Sequence, residues 1–186
     1  MDLGFVTKYK PFLLFLAKFF LSYLILGAIY QFYLSRYDEA KYEIDPITIS
    51  VAKQSEAVMN AFGADVKIRL HKTQPSVKIF YHYQYVARII EGCNAVSVMI
   101  LFAAFVVAFS GKLKHTIWFI IFGCAVIHIL NVARIALLCS AIYHFPDYEN
   151  LLHGVLFPLF IYSVVFLLWV IWVNKFSSYA KKPLKA

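Results

Sequence analysis

The sequence predicts an all-α polytopic membrane protein of about four transmembrane helices, with a small external segment built from an amphipathic helix and a β-hairpin. Three observations lead there. Of its 186 residues, 62% are hydrophobic and 15% charged, where a soluble domain carries about 25% charged. The mean hydropathy is +0.70. The apolar residues are gathered into runs long enough to cross a hydrocarbon layer of roughly 30 Å, and most basic residues stand between or beyond those runs. By length the chain forms one integral membrane domain, 1–186.

The first run, about 12–34, is twice the length of a signal-peptide core and no small-x-small site follows it, so it is expected to remain as a span. Lys18 inside it lies near one end and reaches outward along its aliphatic stem. The stretch of about 35–91 is hydrophilic and holds seven of the ten acidic residues. Within it Asp45-Pro46 is a helix start signal for an amphipathic helix over roughly 47–61. Val66, Ile68 and Leu70 then alternate with polar residues, as do Val77, Ile79, Tyr81, Tyr83 and Tyr85. Thr73-Gln74-Pro75-Ser76 separates the two runs, which predicts a β-hairpin. The aromatic residues over 80–85 match an interfacial belt.

The second span, about 94–110, is slightly short, so its helix is expected to begin before Cys93. Gly111-Lys112-Leu113-Lys114-His115 is a tight basic turn. The third run, about 116–143, exceeds one untilted crossing; it either continues to the surface or breaks near Asn131. Residues 146–150 form a polar turn, and the fourth span covers about 153–173.

A net charge of +8 raises the question of nucleic acid, but the placement of the charges excludes that reading. Lys10 precedes the first run, Lys112 and Lys114 lie between two others, and Lys175, Lys181, Lys182 and Lys185 follow the last. Basic loops stay in the cytoplasm, and their contacts are anionic lipid headgroups. Both termini are then cytoplasmic in a cell membrane, with the 35–91 segment and the 146–150 turn outside. Cys93, Cys124 and Cys139 have no CxxC or metal-ligand spacing. No metal or organic cofactor is implied.

This topology delivers Cys93, Arg134 and His153 to the outer interface from three separate segments. Ionisable groups at membrane depth default to a functional reading, and a thiol, a guanidinium and an imidazole are the parts of a cysteine nucleophile site. At a helix N-terminus, unpaired N–H groups favour a thiolate at Cys93. Glu91 orients a neighbour. Arg134 stays charged and serves an oxyanion; Asn131 is one turn earlier on its face. His153 activates the thiol or protonates a leaving amine, and His144 competes for that role. Each residue also has a plain reading: a small filler at a helix start for Cys93, a headgroup-seeking arginine, an interfacial histidine. His128 reads as satisfied packing, His71 and His82 as solvated strand residues, and His115 as part of the basic turn.

Glu91-Gly92-Cys93, Asn131-Val132-Ala133-Arg134-Ile135 and Leu152-His153-Gly154, in that order, resemble the exosortase/archaeosortase family, most closely its short exosortase F subfamily. Many members have Cys-Ser-Gly where this chain has Cys93-Asn94-Ala95, and many are larger, with about eight spans. The resemblance implies a cysteine peptidase or transpeptidase, a hydrolase of protein sorting to the cell envelope, with Cys93, Arg134 and His153 catalytic. Its substrates would be exported proteins with a C-terminal motif, apolar helix and basic tail, cleaved at the outer face and passed to an amine on a lipid or glycan, or to water. Docking in so short a member also invites a partner membrane protein. Two rivals stand beside it. A thiol–quinone oxidoreductase needs paired cysteines, and Cys93 has no convincing partner in the sequence. A non-enzymatic assembly or transport subunit would use Arg134 and His153 structurally and tolerate loss of Cys93.

Overall fold

The computed structural model of the chain describes residues 3–109 and 111–177; the tail lysines Lys181, Lys182 and Lys185 lie outside the described residues. The elements are α1 (Leu3–Leu34), α2 (Pro46–Ala61), β1 (Val66–Leu70), β2 (Val77–Tyr81), β3 (Gln84–Ile89), α3 (Val96–Ala108), α4 (Leu113–His144), α5 (Glu149–Leu151) and α6 (Phe157–Ile171). A π-helical turn at Leu152–Leu156 joins α5 to α6, and a second follows at Trp172–Phe176.

Among the described residues three helical stretches are long and apolar enough to cross a membrane: Tyr9–Leu34, Leu113–His144 and Pro146–Phe176. The chain is a multi-pass membrane protein. The second expected span forms a helix of only 13 residues, α3. At 1.5 Å per residue it covers roughly 20 Å, so on its own it does not meet the length of a crossing. Nor does its helix begin before Cys93. It starts at Val96, after a 3-10 turn at Glu91–Cys93 and an Ala95 at φ 63.

The third run does not break near Asn131. α4 is one helix of 32 residues, roughly 48 Å long, and its excess length projects beyond the bundle. Two cores sit along it. In the bundle, Phe119 and Ile127 of α4 pack with Phe102 and Val106 of α3, Val165 and Leu168 of α6, and Trp172. Further along, Val132, Ile135, Ala136 and Cys139 pack with Val51 and Met59 of α2 and Val77, Ile79 and Ile89 of the sheet.

The segment of α2 and the sheet follows its sequence signals closely. Asp45 Oδ1 accepts the Thr48 N–H at 2.9 Å and Pro46 occupies the first turn, as an N-cap requires. α2 buries Thr48, Val51, Ala52, Ser55 and Met59, a stripe at helical spacing. Its end is a Schellman motif: Gly63 at φ 85 donates to Asn60 O, and Ala64 donates to Met59 O. The expected hairpin is part of a three-stranded antiparallel sheet in the order β1-β2-β3. Tyr83 and Tyr85 do not continue β2. His82 and Tyr83, at φ 44 and 67, make a two-residue turn with both residues left-handed, and Tyr85 belongs to β3 with a bulge near Ile79/Phe80.

The bundle has a basic end. Phe15 of α1 meets Phe109 at a ring-centroid distance of 4.5 Å, and Gly111 bridges to Ser177. The α1 entry with Lys10, the Lys112–Lys114 turn and Lys175 therefore share one end. At the opposite end Tyr30 of α1 reaches Glu91 and Asn94.

A methyl group added at Gly123 would overlap the ring of Phe102, which is fully buried. Gly123→Ala should cost about 1–3 kcal/mol, seen as a lowered thermal midpoint of the detergent-solubilised protein. Gly27→Ala, where the added carbon meets nothing within 4 Å, should not lower it.

Candidate active site

The Cys93 turn is held from three sides. Cys93 N donates to Ile90 O at 2.9 Å and Asn94 N to Glu91 O at 3.1 Å. From α4, Asn131 Nδ2 donates to the Cys93 carbonyl at 2.7 Å. From α1 and α2, the fully buried Asn94 side chain is engaged: its Nδ2 donates to Tyr30 Oη at 2.8 Å and Thr48 Oγ1 at 3.2 Å. Its Oδ1 accepts Val96 N at 2.9 Å, which caps the start of α3. Tyr30 Oη in turn donates to Glu91 Oε1 at 2.6 Å. Cys93 thus sits in a separate, braced turn, not in the first turn of an α-helix, so the helix-dipole argument for its thiolate weakens.

Cys93, Arg134 and His153 line one cavity of about 620 Å³, which runs between β3, the outer part of α4 and the α5 segment. Arg134 is half-buried. Its Nη1 donates to Asn131 Oδ1 at 3.4 Å. Its buried Nε has no hydrogen-bond partner, and among the described residues no carboxylate pairs with it. A buried donor left unpaired costs about 1–3 kcal/mol; the residue itself lines the cavity and brings a positive charge to it. His153 is exposed and stands on the π-helical turn, a feature frequent at functional sites.

The supporting candidates divide. Asn131 is 1% exposed and joins the Cys93 turn to Arg134. Glu91 supports the turn through Tyr30 and faces a neighbouring cavity of about 390 Å³. His144 is not among the residues lining the Cys93 cavity. It packs in an aromatic cluster, 6.2 Å from the Tyr81 ring and 5.1 Å from Tyr143. His128 Nε2 lies 2.7 Å from Gln54 Oε1, as a satisfied packing residue. His71 accepts the Thr73 N–H, and desolvation together with the Lys78 and Arg88 charges holds it below the ordinary histidine pKa.

Sequence reasoning missed three residues and set a fourth, Cys139, aside as no convincing partner for Cys93. Tyr30 and Thr48 carry no local signal, because their roles exist only across 46 to 64 residues of chain. Glu149 lines the cavity four positions before His153, a spacing that places side chains on one helical face. Cys139 lines the same cavity and packs against Cys93, so the nucleophile candidate does have a thiol neighbour, one that is 1% exposed.

The family model described as Transmembrane exosortase (Exosortase_EpsH) matches residues 10–171. The chain belongs to the transmembrane exosortase family. No curated protein matches it and no solved structure matches it. The match reaches into all three helices that are long enough to cross and includes α2 and the sheet.

Ala95 is buried and left-handed between the Cys93 turn and α3. Its φ of 63 is a conformation that glycine adopts without penalty and an L side chain reaches at about 1 kcal/mol. Ala95→Gly should therefore raise the thermal midpoint, and Ala95→Val, β-branched at positive φ, should lower it. Equal midpoints for all three proteins would show that the turn is not left-handed.

Proposed function

We propose that this exosortase, closest in form to the short exosortase F subfamily, is a membrane cysteine transpeptidase or peptidase that removes C-terminal sorting signals from exported proteins. The observation that carries the reading is the shared cavity: Cys93, Arg134 and His153 come from three segments of the chain and line one space. Family membership supports the reaction class.

In this reading the Cys93 thiolate attacks the scissile carbonyl carbon and forms a C–S bond. The carbonyl oxygen becomes an oxyanion, which the Arg134 guanidinium stabilises as charge develops. Collapse of the intermediate breaks the C–N bond, and His153 gives its proton to the leaving amine. The departing piece is the apolar helix with its basic tail. The thioester is then opened by an amine on a lipid or glycan, or by water, with His153 taking the proton of the incoming nucleophile. The exposure of His153 suits exchange of leaving group for acceptor. The chemistry is complete with these groups and calls for no cofactor.

The chain sits in the cell (inner) membrane with four crossings, its basic end and both termini in the cytoplasm and the cavity at the outer face. The distribution of lysines supports this orientation. The short α3 completes its crossing with the 3-10 turn and residues 94–95. Non-helical backbone is tolerated at membrane depth where protein buries it or a cavity receives it. Asn94 and Ala95 are buried and Cys93 lines the cavity.

In cells that co-express an exported protein with such a C-terminal signal, wild type should remove the tail and Cys93→Ala should leave it intact. Arg134→Lys should slow removal by roughly 100-fold, the scale of a lost oxyanion donor. Cys139→Ala should keep activity; its loss would favour thiol exchange between Cys93 and Cys139. Equal processing by wild type and Cys93→Ala, with both expressed, would sink the nucleophile assignment. A membrane-impermeant maleimide added to intact spheroplasts should modify Cys93 and spare Cys139; labelling only after membrane rupture would invert the topology.

A further inference from the structure

The sheet treats its two edges differently. On the β1 edge, side chains of α2 occupy the backbone. Asn60 Nδ2 donates to Val66 O at 3.1 Å, Asn60 Oδ1 accepts Val66 N at 2.8 Å, and Glu56 Oε1 accepts Ile68 N at 3.0 Å. The β3 edge has no such cover. β3 pairs only with β2, and among the described residues no hydrogen bond from outside the sheet reaches its backbone. An open edge presents a row of free N–H and C=O groups, a template for another strand.

This edge does not face open solvent. Every residue from Gln84 to Ile90 lines the cavity that also holds Cys93, Arg134 and His153, and Ile135, Leu138 and Ile142 of α4 form the facing wall. The direction of the groove is fixed at both ends. Tyr81, beside the start of β3, stacks on Tyr143 with centroids 4.4 Å apart. The far end of β3 leads through Ile90 into the Cys93 turn, which is bonded to Asn131. β3 thus descends along α4 from Tyr143 to Asn131, toward the bundle. Its six residues span roughly 20 Å.

We propose that the β3 edge is the docking site for the substrate polypeptide upstream of the scissile bond. An extended segment of about six residues, matching β3, adds as a fourth strand parallel to β3 and ends with its last carbonyl at Cys93. The inference rests on the peptidase reading. Its polarity follows from the substrate: a chain coming from the outer layer into a membrane-embedded helix runs in the same direction as β3. Main-chain bonds supply sequence-independent affinity, and alternate side chains turn toward the α4 wall.

The test uses the full-length protein and the exported protein that wild type processes. Benzoylphenylalanine replaces Tyr85 on β3, or Lys67 on β1 as a control, in the Cys93→Ala background, and adducts are mapped by mass spectrometry after irradiation. Adducts from position 85 should fall on substrate residues N-terminal to the cleaved bond, with none from position 67. In parallel, peptides spanning the cleavage site carry a single N-methyl group at successive upstream positions. kcat/KM should fall by about tenfold or more at every second position, where a main-chain bond is lost, and change little between. Adducts downstream of the cleaved bond, adducts joining two copies of this chain, or N-methyl effects without alternation would overturn the docking mode while processing continued. Absence of processing by wild type would refute the peptidase reading itself, and the docking mode with it.

Discussion

A hydrogen bond of 2.7 Å from Asn131 Nδ2 to the Cys93 carbonyl joins segments 38 residues apart, and the geometry of the site depends on it. The Cys93 turn is neither α-helix nor strand, so its carbonyl has no regular partner, and a buried carbonyl without one is costly. Asn131 meets that need from a position that also bonds Arg134. One amide therefore sets the turn carrying the thiol and the helix carrying the guanidinium in register. The mirror arrangement on the other side is Asn94, which ties the same turn to α1 and α2 through Tyr30 and Thr48. Buried polar networks of this kind specify one arrangement only when every member is satisfied.

α4 is what makes such a network possible. A helix ending near Arg134 would offer α2 and the sheet little to pack on. Because it continues to His144, its apolar face carries two cores in succession; Asn131 falls where one core gives way to the other, with Arg134 one turn further on. Polar groups at that junction avoid both hydrocarbon and open water. A low local dielectric strengthens their interactions with developing charge.

Much of this was legible in the sequence, and the failures share a cause. Asp45-Pro46 announced α2 because capping is a local event, and the long apolar runs announced α1, α4 and α6 by length alone. Cys93, Arg134 and His153 were singled out because a position along a span fixes depth, and the three line one cavity. The third strand was missed because the turn before it, His82-Tyr83, contains no glycine or asparagine, so the alternation through Tyr81 read straight on to Tyr85. The third run left two outcomes open, a helix continuing to the surface or a break near Asn131, where an amide can compete with helical backbone. The Asn131 amide instead bonds a carbonyl from another segment, and the helix runs on. The start of α3 was misplaced because nothing in Asn94-Ala95 signals a left-handed residue. His144 was ranked beside His153 by proximity in sequence, but the aromatic cluster of Tyr81 and Tyr143 draws it aside. Each miss depends on a contact that only the tertiary fold supplies.

The short α3 connects these observations. From Leu113 to Asn131 α4 rises roughly 27 Å, whereas the 13 residues of α3 rise only about 20 Å. The remaining distance is bridged by Cys93, Asn94 and Ala95 in compact non-helical form. A regular helix over the same residues would point the Cys93 carbonyl along its own axis, into an intrahelical bond, and leave Asn131 unpartnered. Ending the helix early frees that carbonyl for α4, and the resulting strain at Ala95 is confined to one residue. The same early ending lets β3 lead directly through Ile90 into the Cys93 turn. The open edge of the sheet, the thiol and Arg134 then line one continuous cavity.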